Sequence, residues 1–454
     1  MSAIQEAEGG TMEDIQQRVL AEIREDELVA MTVDLVNFPS PPGEEAAIGD
    51  YLARRLAELG MRVHLQEVEP GRNNVVGRLP GKKGGPTLLF SAHFDTSTTG
   101  RELEAWGGGY SSAGFGGGQA RATVANAWIH GLGVSNMKGA FSAYWGAIRA
   151  LQRAGVELAG DVLVAGVVGE TEKAPVDQYQ GAEFRGGKVG SRYLVTHGVT
   201  ADFAIIGEPT GMRLQIGETG YCFAKITVYG KSQHTWCKEY GIDPIEKMMR
   251  VVAALKAWEP TYRQRHPHPF METRIGVGAI QGGFPYKPSK CPAPLCNLYV
   301  DLRLVPGQSF IETKRELEAV LDELKADDPD FRSEVDFYLT GKGYELQRDE
   351  TLVQAMERAH LVVYNEPVSF AAPNRYAVSS DAAPMFEYGI KGLTYGPGGI
   401  STAGQFTMYD AGQQQGEVLS IQHLVKAAGV YALAALELCG SVTGTVDRAT
   451  GTSV

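Results

Sequence analysis

Cysteine is scarce in this chain, and long apolar runs are missing. The 454 residues include 5 cysteines, an odd number without CxxC spacing, which excludes a disulfide scaffold and favours packed, reduced thiols. The longest apolar stretch near the C-terminus, Leu424 to Cys439, is interrupted by Lys426 and Glu437. Its amphipathic spacing predicts a helix that docks on the protein rather than one that crosses a membrane.

Positive charge is also in short supply. The chain has 42 Lys and Arg against 54 Asp and Glu, a net charge of -12 with a pI near 5.4. The field of such a protein repels nucleic acid and anionic membranes, so we expect neither as a partner and expect a small-molecule substrate instead. Met1 to Val19 lacks the basic start and apolar stretch of a signal peptide, which predicts a cytoplasmic location.

Helical and strand patterns alternate along most of the chain, which predicts an α/β fold. Helices at Asp26 to Phe38 and Glu44 to Leu59 precede several strand-like runs, as expected for a mostly parallel mixed sheet between helices. From Gly217 the pattern becomes about four strands and two helices, typical of an inserted α+β domain. We predict a catalytic domain in two parts, 1–216 and 336–454, interrupted by a smaller domain at 217–335.

Four short motifs carry polar side chains, and three of them end strand-like runs. In open α/β sheets, ligands bind beyond the carboxyl ends of strands, so these positions predict a common site. The motifs are Ser91-Ala92-His93-Phe94-Asp95, Gly131-Leu132-Gly133-Val134-Ser135-Asn136-Met137-Lys138-Gly139, Gly169-Glu170-Thr171 and Gly207-Glu208-Pro209-Thr210.

In order and spacing these motifs resemble the dinuclear zinc peptidase and deacylase family. Its members include aminoacylase, carboxypeptidase G, acetylornithine deacetylase and succinyl-diaminopimelate desuccinylase. The resemblance implies the two-domain architecture, with a lid and dimerisation domain at 217–335, and a homodimer. The family pattern places Asp at 136, Glu at 171 and His at 413, whereas this chain has Asn136, Thr171 and Gln413. Each change replaces a metal ligand by an uncharged hydrogen-bonding side chain.

The resemblance also implies roles for the residues that match. His93 is the expected metal ligand, and Asp95, two residues later on the same face of a strand, is expected to orient its imidazole. Glu208 is a second expected ligand. Glu170 matches the general base, which takes a proton from the attacking water and passes it to the leaving nitrogen.

The metal content predicted from these replacements is reduced. Two dications close together need a bridging negative charge, which the neutral Asn136 does not supply. His93, Glu208 and Asn136 are expected to hold at most one divalent ion, zinc or manganese, and a metal-free site is the alternative. Glu172 or Glu183 could replace a lost carboxylate, or both could be solvated loop charges.

In the lid, the resemblance points to three further residues. His234, in Gly230-Lys231-Ser232-Gln233-His234, matches a histidine that stabilises the oxyanion across the dimer. Lys287 stands where the family usually has Asn. Arg303 matches an arginine that binds a substrate carboxylate, with a structural salt bridge to Asp301 or to another carboxylate as the alternative. Together with Thr171 and Gln413, Lys287 and Arg303 form the expected substrate-binding set.

The predicted activity is hydrolysis of a small amide-type or other carbon–nitrogen bond with altered metal dependence. Two alternatives use the same cleft. One is a metal-independent reaction such as ring opening, deamination or amide-forming transfer, and the other is a non-catalytic protein that binds a small molecule. Retention of Glu170, His234 and Asp95 favours catalysis, because a binding protein needs no general base.

Overall fold

The computed structural model describes residues 11–96, 121–291, 294–371, 379–398 and 417–442. Within these residues the helices are α1 Met12–Ala21, α2 Glu25–Val36, α3 Ala46–Ala57, α4 Gly139–Arg153, α5 Val189–Thr196, α6 Pro244–Arg265, α7 Phe310–Asp327, α8 Thr351–Tyr364, α9 Ala382–Glu387 and α10 Ile421–Cys439. The strands are β1 Arg62–Glu69, β2 Arg72–Leu79, β3 Gly85–His93, β4 Thr123–Ala125, β5 Trp128–His130, β6 Gly160–Val167, β7 Phe203–Ile206, β8 Gly217–Glu218, β9 Gly220–Tyr229, β10 Gln233–His234, β11 Arg274–Gly282, β12 Lys290–Cys291, β13 Leu295–Leu304, β14 Ser333–Gly341, β15 Tyr344–Glu345, β16 Lys391–Thr394 and β17 Val418–Ser420.

The larger sheet carries the predicted site. Its strand order is β1-β2-β6-β3-β7-β16. Strand β3 runs parallel to β6 and β7, and β7 runs parallel to β16. Strand β2 pairs antiparallel with β1 on one side and with β6 on the other. This confirms the predicted mostly parallel mixed sheet. Because β3, β6 and β7 point the same way, the motifs that follow them meet at one edge of the sheet.

Aromatic side chains pack the helices against this sheet. Phe90 of β3 stacks on Tyr144 of α4 with ring centroids 4.9 Å apart, and Tyr431 of α10 contacts both rings. Gly207 allows the chain beyond β7 to approach α4, since a Cβ there would lie 2.4 Å from the Ala140 Cβ. The tight contact places the residue after it, Glu208, close to the end of β3.

Three strands of the smaller sheet lie in the region predicted as the lid, and its fourth strand, β14, begins there and continues to Gly341. All of its neighbouring strands, in the order β11-β13-β9-β14, pair antiparallel, and α6 and α7 pack on it around a separate hydrophobic core. Helix α6 begins at Pro244, where the Asp243 carboxylate accepts hydrogen bonds from the backbone N–H of Ile245 and Glu246, a regular N-cap. The boundaries at 217 and 335 stay a prediction.

Helix α10 packs in the interior of the larger domain. Most of its residues, among them Leu424, Tyr431 and Leu436, are buried in the main core. No helix in the described part of the chain is long and apolar enough to span a bilayer.

Candidate active site

His93 is the last residue of strand β3, and Asp95 lies two residues beyond it. Both side chains are fully buried. The Nδ1 atom of His93 lies 2.8 Å from the backbone oxygen of Asp95 and 3.5 Å from its Oδ1. The Asp95 carboxylate also accepts hydrogen bonds from the backbone N–H of Glu170, at 2.9 Å, and of Thr171, at 3.0 Å. One carboxylate therefore orients the imidazole and the segment that carries Glu170.

These contacts set the charge states of the pair. Burial alone would lower the pKa of His93, but its hydrogen bond to Asp95 and the charges of Asp95, Glu170 and Glu208 raise that pKa well above the ordinary value. Burial alone would raise the pKa of Asp95, but His93 and the two backbone donors hold it below the ordinary value. These contacts favour the protonated form of His93 and the ionised form of Asp95.

Three polar groups surround the other nitrogen of His93. Its Nε2 lies 2.8 Å from Asn136 Oδ1, 3.8 Å from Glu170 Oε2 and 3.9 Å from Glu208 Oε1. Ligand atoms of His93, Glu170 and Glu208 all lie within 4.8 Å of one another. We call His93, Asp95, Asn136, Glu170 and Glu208 the His93 cluster. Imidazole nitrogen and carboxylate oxygen are donors that suit zinc or manganese.

Asn136 is held in the cluster by its backbone. The Glu417 carboxylate, buried beneath the turn at Val134–Lys138, accepts hydrogen bonds from the N–H groups of Ser135 and Asn136 at 3.2 and 3.1 Å. The uncharged Asn136 oxygen therefore faces His93. Because the Asn136 side chain is neutral, the negative charge beside His93 Nε2 comes from Glu170 and Glu208 alone.

A glycine precedes each of the two glutamates, Gly169 before Glu170 and Gly207 before Glu208, and lets the backbone bring the carboxylate to the His93 cluster. Gly169 has a positive φ of 62°, and a Cβ there would lie 2.7 Å from a Val189 methyl carbon. The side chain of Glu208, 17% exposed, stands at the open side of the cluster, whereas that of Glu170 is 9% exposed. Burial and the charge of Glu170 raise the pKa of Glu208 to about 8.

The stretch after Thr171 forms a loop whose ends are hydrogen-bonded together. The N–H of Gly187 donates to the Thr171 oxygen at 2.6 Å, and the N–H of Lys188 donates to the Gly169 oxygen at 2.9 Å. This closure brings Lys188 beside Glu170, with Nζ 3.3 Å from Glu170 Oε1. The sequence interpretation missed Lys188, because nothing local distinguishes it from a loop lysine.

Two further buried carboxylates were missed in the sequence. Asp381 precedes α9 and is fully buried, and burial together with the charge of Glu170 raises its pKa to about 7. Glu218, also fully buried, accepts hydrogen bonds from the backbone N–H and the hydroxyl of Ser380, yet burial still raises its pKa to about 7. The only signal in the sequence was Ser379-Ser380-Asp381 directly before an apolar helix.

Arg303 and Glu172 bind each other. The guanidinium donates to both Glu172 oxygens, at 2.8 and 2.5 Å, and its Nε donates to Asp301 at 2.9 Å. Burial alone would raise the pKa of Glu172, but the charges of Arg303 and Lys188 lower it. Glu172 thus joins no group of metal ligands among the described residues. Arg303 forms salt bridges with Glu172 and Asp301, and its role in binding a substrate carboxylate stays a prediction.

Of the remaining predicted residues, only Thr171 contacts the His93 cluster within the described part of the chain. His234 and Lys287 are on the exposed lid surface, and Glu183 is exposed in the loop after Thr171. Thr171 is buried beside Glu170, and its hydroxyl has no hydrogen-bond partner within the described residues. Gln413 lies outside the described residues.

Comparison with known proteins agrees with this arrangement. The model for peptidase family M20/M25/M40 matches residues 89–437, which include the whole His93 cluster. The chain belongs to this family. An N-formyl-4-amino-5-aminomethyl-2-methylpyrimidine deformylase of Halalkalibacterium halodurans is 27% identical over 409 residues, 83% of this chain and 88% of the relative. An acetylornithine deacetylase of Myxococcus xanthus is 29% identical over 284 residues, 61% and 69% of the two chains.

Solved structures of the peptidase family share the fold. Aminopeptidase PepT of Bacillus cereus superposes with a TM-score of 0.67 at 18% identity, covering 92% of this chain and all of its own. Human carnosine dipeptidase 1 superposes with a TM-score of 0.68 at 14% identity, covering 94% of this chain and 98% of its own. The predicted family resemblance is therefore confirmed, and this M20 chain is an enzyme of the amidohydrolase and deacylase type. Members of the family generally bind divalent metal ions, and the donors around His93 suit one such ion.

Proposed function

We propose that this enzyme hydrolyses the amide bond of a small N-acyl amine, with Glu170 as the general base. The observation that carries the proposal is the position of the Glu170 carboxylate. Its backbone is held by Asp95, and its Oε2 lies 3.8 Å from His93 Nε2 on the side where Glu208 is partly exposed. A water between these groups would be within reach of a fixed proton acceptor.

The reaction follows from this geometry. Glu170 takes a proton from the attacking water as its oxygen bonds to the acyl carbon, and passes that proton to the nitrogen as the carbon–nitrogen bond breaks. One zinc or manganese ion, held by His93 and Glu208 beside the Asn136 oxygen, would supply positive charge that polarises the scissile carbonyl. Asp95 keeps the imidazole oriented for this task.

The lid contribution is proposed to come from a second copy of the chain. His234 and the aromatic side chains near it, Trp236 at 89% and Tyr240 at 68% exposure, lie on the open lid surface. Large exposed apolar side chains grouped on one face favour an interface. In a homodimer, His234 of the partner subunit would donate a hydrogen bond to the developing oxyanion. A cytoplasmic location stays a prediction from the sequence.

The proposed substrate class lacks a carboxylate at the position facing Arg303. A guanidinium with both of its parallel donors on Glu172 has no free fork for a second carboxylate. Support also comes from the Halalkalibacterium relative, whose name describes an N-formyl aminomethylpyrimidine, a compound without a carboxylate. We propose N-formyl or N-acetyl derivatives of primary amines as substrates, rather than N-acyl amino acids.

Matched substrate pairs test the proposal. Purified enzyme with added manganese or zinc is given N-acetylornithine and its decarboxylated counterpart, and the corresponding formyl compounds, while released acetate or formate is measured. We expect kcat/KM at least about tenfold higher for the compounds without a carboxylate. If no compound releases acetate or formate, the deacylase proposal is rejected. If the enzyme prefers the compounds that carry a carboxylate, the proposed substrate class of N-acyl amines without a carboxylate is rejected.

A variant of Glu172 connects the preference to the structure. Glu172→Ala removes the carboxylate that occupies the two parallel donors of Arg303, while the contact with Asp301 remains. The kcat/KM for the carboxylated substrate should therefore rise by about tenfold relative to that for its decarboxylated counterpart. Glu183→Ala, at an exposed position of the same loop, is the matched control and should leave the ratio unchanged. An unchanged ratio in Glu172→Ala would show that Arg303 does not select substrates.

A further inference from the structure

Lys188 is a buried cation that the proposed reaction does not use. Its side chain is 1% exposed, and its Nζ lies 3.3 Å from Glu170 Oε1 and 4.9 Å from the ring centre of Tyr221. Neither this ammonium nor the Tyr221 hydroxyl has a hydrogen bond of ordinary geometry within the described residues. Burying an ammonium is unfavourable unless charges around it compensate, so its surroundings need an explanation.

The backbone fixes Lys188 in this position. The residue has a positive φ of 68°, which is uncommon for a side chain with a Cβ. Its N–H donates to the Gly169 oxygen, and Gly190 N–H donates to the Val168 oxygen at 3.0 Å, so the turn is tied to the end of β6 on both sides of Lys188. A left-handed conformation maintained at a catalytic carboxylate indicates a position under functional constraint.

One carboxylate lies beside the ammonium, and two more act on it through their charge. Glu170, Glu172 and Asp381 all interact electrostatically with Lys188. The two Asp381 oxygens are buried and, among the described residues, lack hydrogen bonds of ordinary geometry. Within the low dielectric of a protein interior, several buried carboxylates without a cation would repel one another strongly. Lys188 supplies that cation from within the chain.

Glu170 connects the ammonium to the His93 cluster. One of its oxygens, Oε1, faces Lys188, while Oε2 faces His93. We propose that Lys188 is a resident cation of the active site, which replaces the positive charge of a second metal ion, restricts metal binding to one ion, and positions Glu170. The reason for the restriction is charge: a dication placed beside Glu170 Oε1 would repel the adjacent ammonium. The last part alone, the positioning of a general base, rests on the proposed function.

Metal titration tests the restriction without any substrate. Wild type, Lys188→Met, Lys188→Arg and the lid control Lys225→Met are stripped with chelator and titrated with Mn²⁺ or Zn²⁺ by calorimetry and elemental analysis. We expect one equivalent at most for the wild type, Lys188→Arg and the control. Lys188→Met should bind its first ion at least about tenfold more tightly, or accept a second one, because the repelling charge is gone.

Two results would overturn the proposal. One is the finding that the wild type binds two equivalents of metal ion tightly, a result that requires no variant. The other is a Lys188→Met protein whose affinity and stoichiometry equal those of the wild type. If Lys188→Met does not fold by circular dichroism, Lys188→Gln, which keeps a polar end group without the charge, takes its place with the same expectation.

Kinetics test the positioning of Glu170. With an N-acyl amine that the wild type hydrolyses, Lys188→Met should lower kcat by about a hundredfold with KM changed only a few-fold, and Lys188→Arg should restore part of kcat. Equal losses in Lys188→Met and Lys188→Arg would contradict a role for the charge. If the wild type hydrolyses no such substrate, the proposed function fails while the metal titration still decides the role of Lys188.

Discussion

Replacement of Asp95 by Asn tests whether one buried carboxylate organises the active site. The carboxylate accepts the backbone N–H of Glu170 on one oxygen and that of Thr171 on the other, and it faces the His93 imidazole. Asn has nearly the same shape but only one acceptor oxygen. Its amide group must therefore direct a donor at one of the two backbone N–H groups, which leaves that N–H buried and unpaired.

The size of the effect follows from these contacts. An unpaired buried N–H costs about 1–3 kcal/mol, and loss of the charge weakens the remaining hydrogen bond by about 1 kcal/mol. We therefore expect Asp95→Asn to lower the free energy of unfolding by about 2–4 kcal/mol at pH 7. Natural domains have a free energy of unfolding of about 5–15 kcal/mol, so the variant should still fold.

The pH dependence supplies a second test. Because the folded-state pKa of Asp95 is lowered, its contribution to stability is fully present above the unfolded pKa of about 3.9 and is lost as the pH falls below it. From pH 7 to pH 5 the difference between wild type and Asp95→Asn should not shrink, because Asp95 stays ionised in both states and its removal also lowers the pKa of His93, which destabilises the variant as the pH falls. Below about pH 3.9 it should shrink by up to about 1.4 kcal/mol per pH unit.

Urea denaturation followed by circular dichroism at pH 7, 5 and 3 measures this difference. Asp34→Asn is the control, since Asp34 is exposed and accepts a single hydrogen bond from the Tyr51 hydroxyl. The control should stay within about 0.5 kcal/mol of wild type. A loss below about 1 kcal/mol for Asp95→Asn at pH 7 would refute the assigned hydrogen bonds. A difference that does not change at pH 3 would refute the lowered pKa.

Three further predictions concern catalysis, metal and assembly. Glu170→Gln should reduce turnover by at least about a hundredfold while substrate binding changes only a few-fold, and a rate near wild type would place the base elsewhere. His93, with its raised pKa, and Glu208, with a pKa of about 8, must lose protons before a metal binds, so metal affinity should rise between about pH 6 and 8, by up to about tenfold per unit for each proton released. An affinity independent of pH would contradict those pKa shifts. Co-expression of His234→Ala with Glu170→Gln should restore roughly a quarter of wild-type activity, because about half of the dimers are mixed and each mixed dimer has one intact site. No recovery despite proven subunit exchange would remove His234 from the partner's site.

The positions of His93, Glu170 and Glu208 could be predicted because local patterns carry them. Each follows a buried strand, and parallel strands bring their carboxyl ends to one edge of a sheet. Gly169 and Gly207 mark the places where the backbone needs a positive φ or a close approach. The loss of charge at Asn136 was equally visible, since the residue type is read directly from the sequence.

The charge pairs of the site could not be predicted in this way. Glu172 and Arg303 are 131 residues apart in the chain, and the sequence offered Glu172 as a solvated loop charge or a replacement metal ligand, not as a partner of Arg303. Lys188 gave no signal of its own, and Asp381 gave only its position directly before an apolar helix. Their proximity to Glu170 depends on how the loop after Thr171 closes and how α9 packs, and neither has a local pattern.

The sequence by itself determined the α/β fold, the family and the edge of the sheet at which the polar motifs meet, because alternation, glycine positions and residue types act over a few neighbouring residues. Only the tertiary structure decided which charges face one another. Electrostatic interactions depend on distance and burial rather than on order along the chain. The pairing of Arg303 with Glu172 and the burial of Lys188 beside Glu170 therefore appear only once the chain is folded.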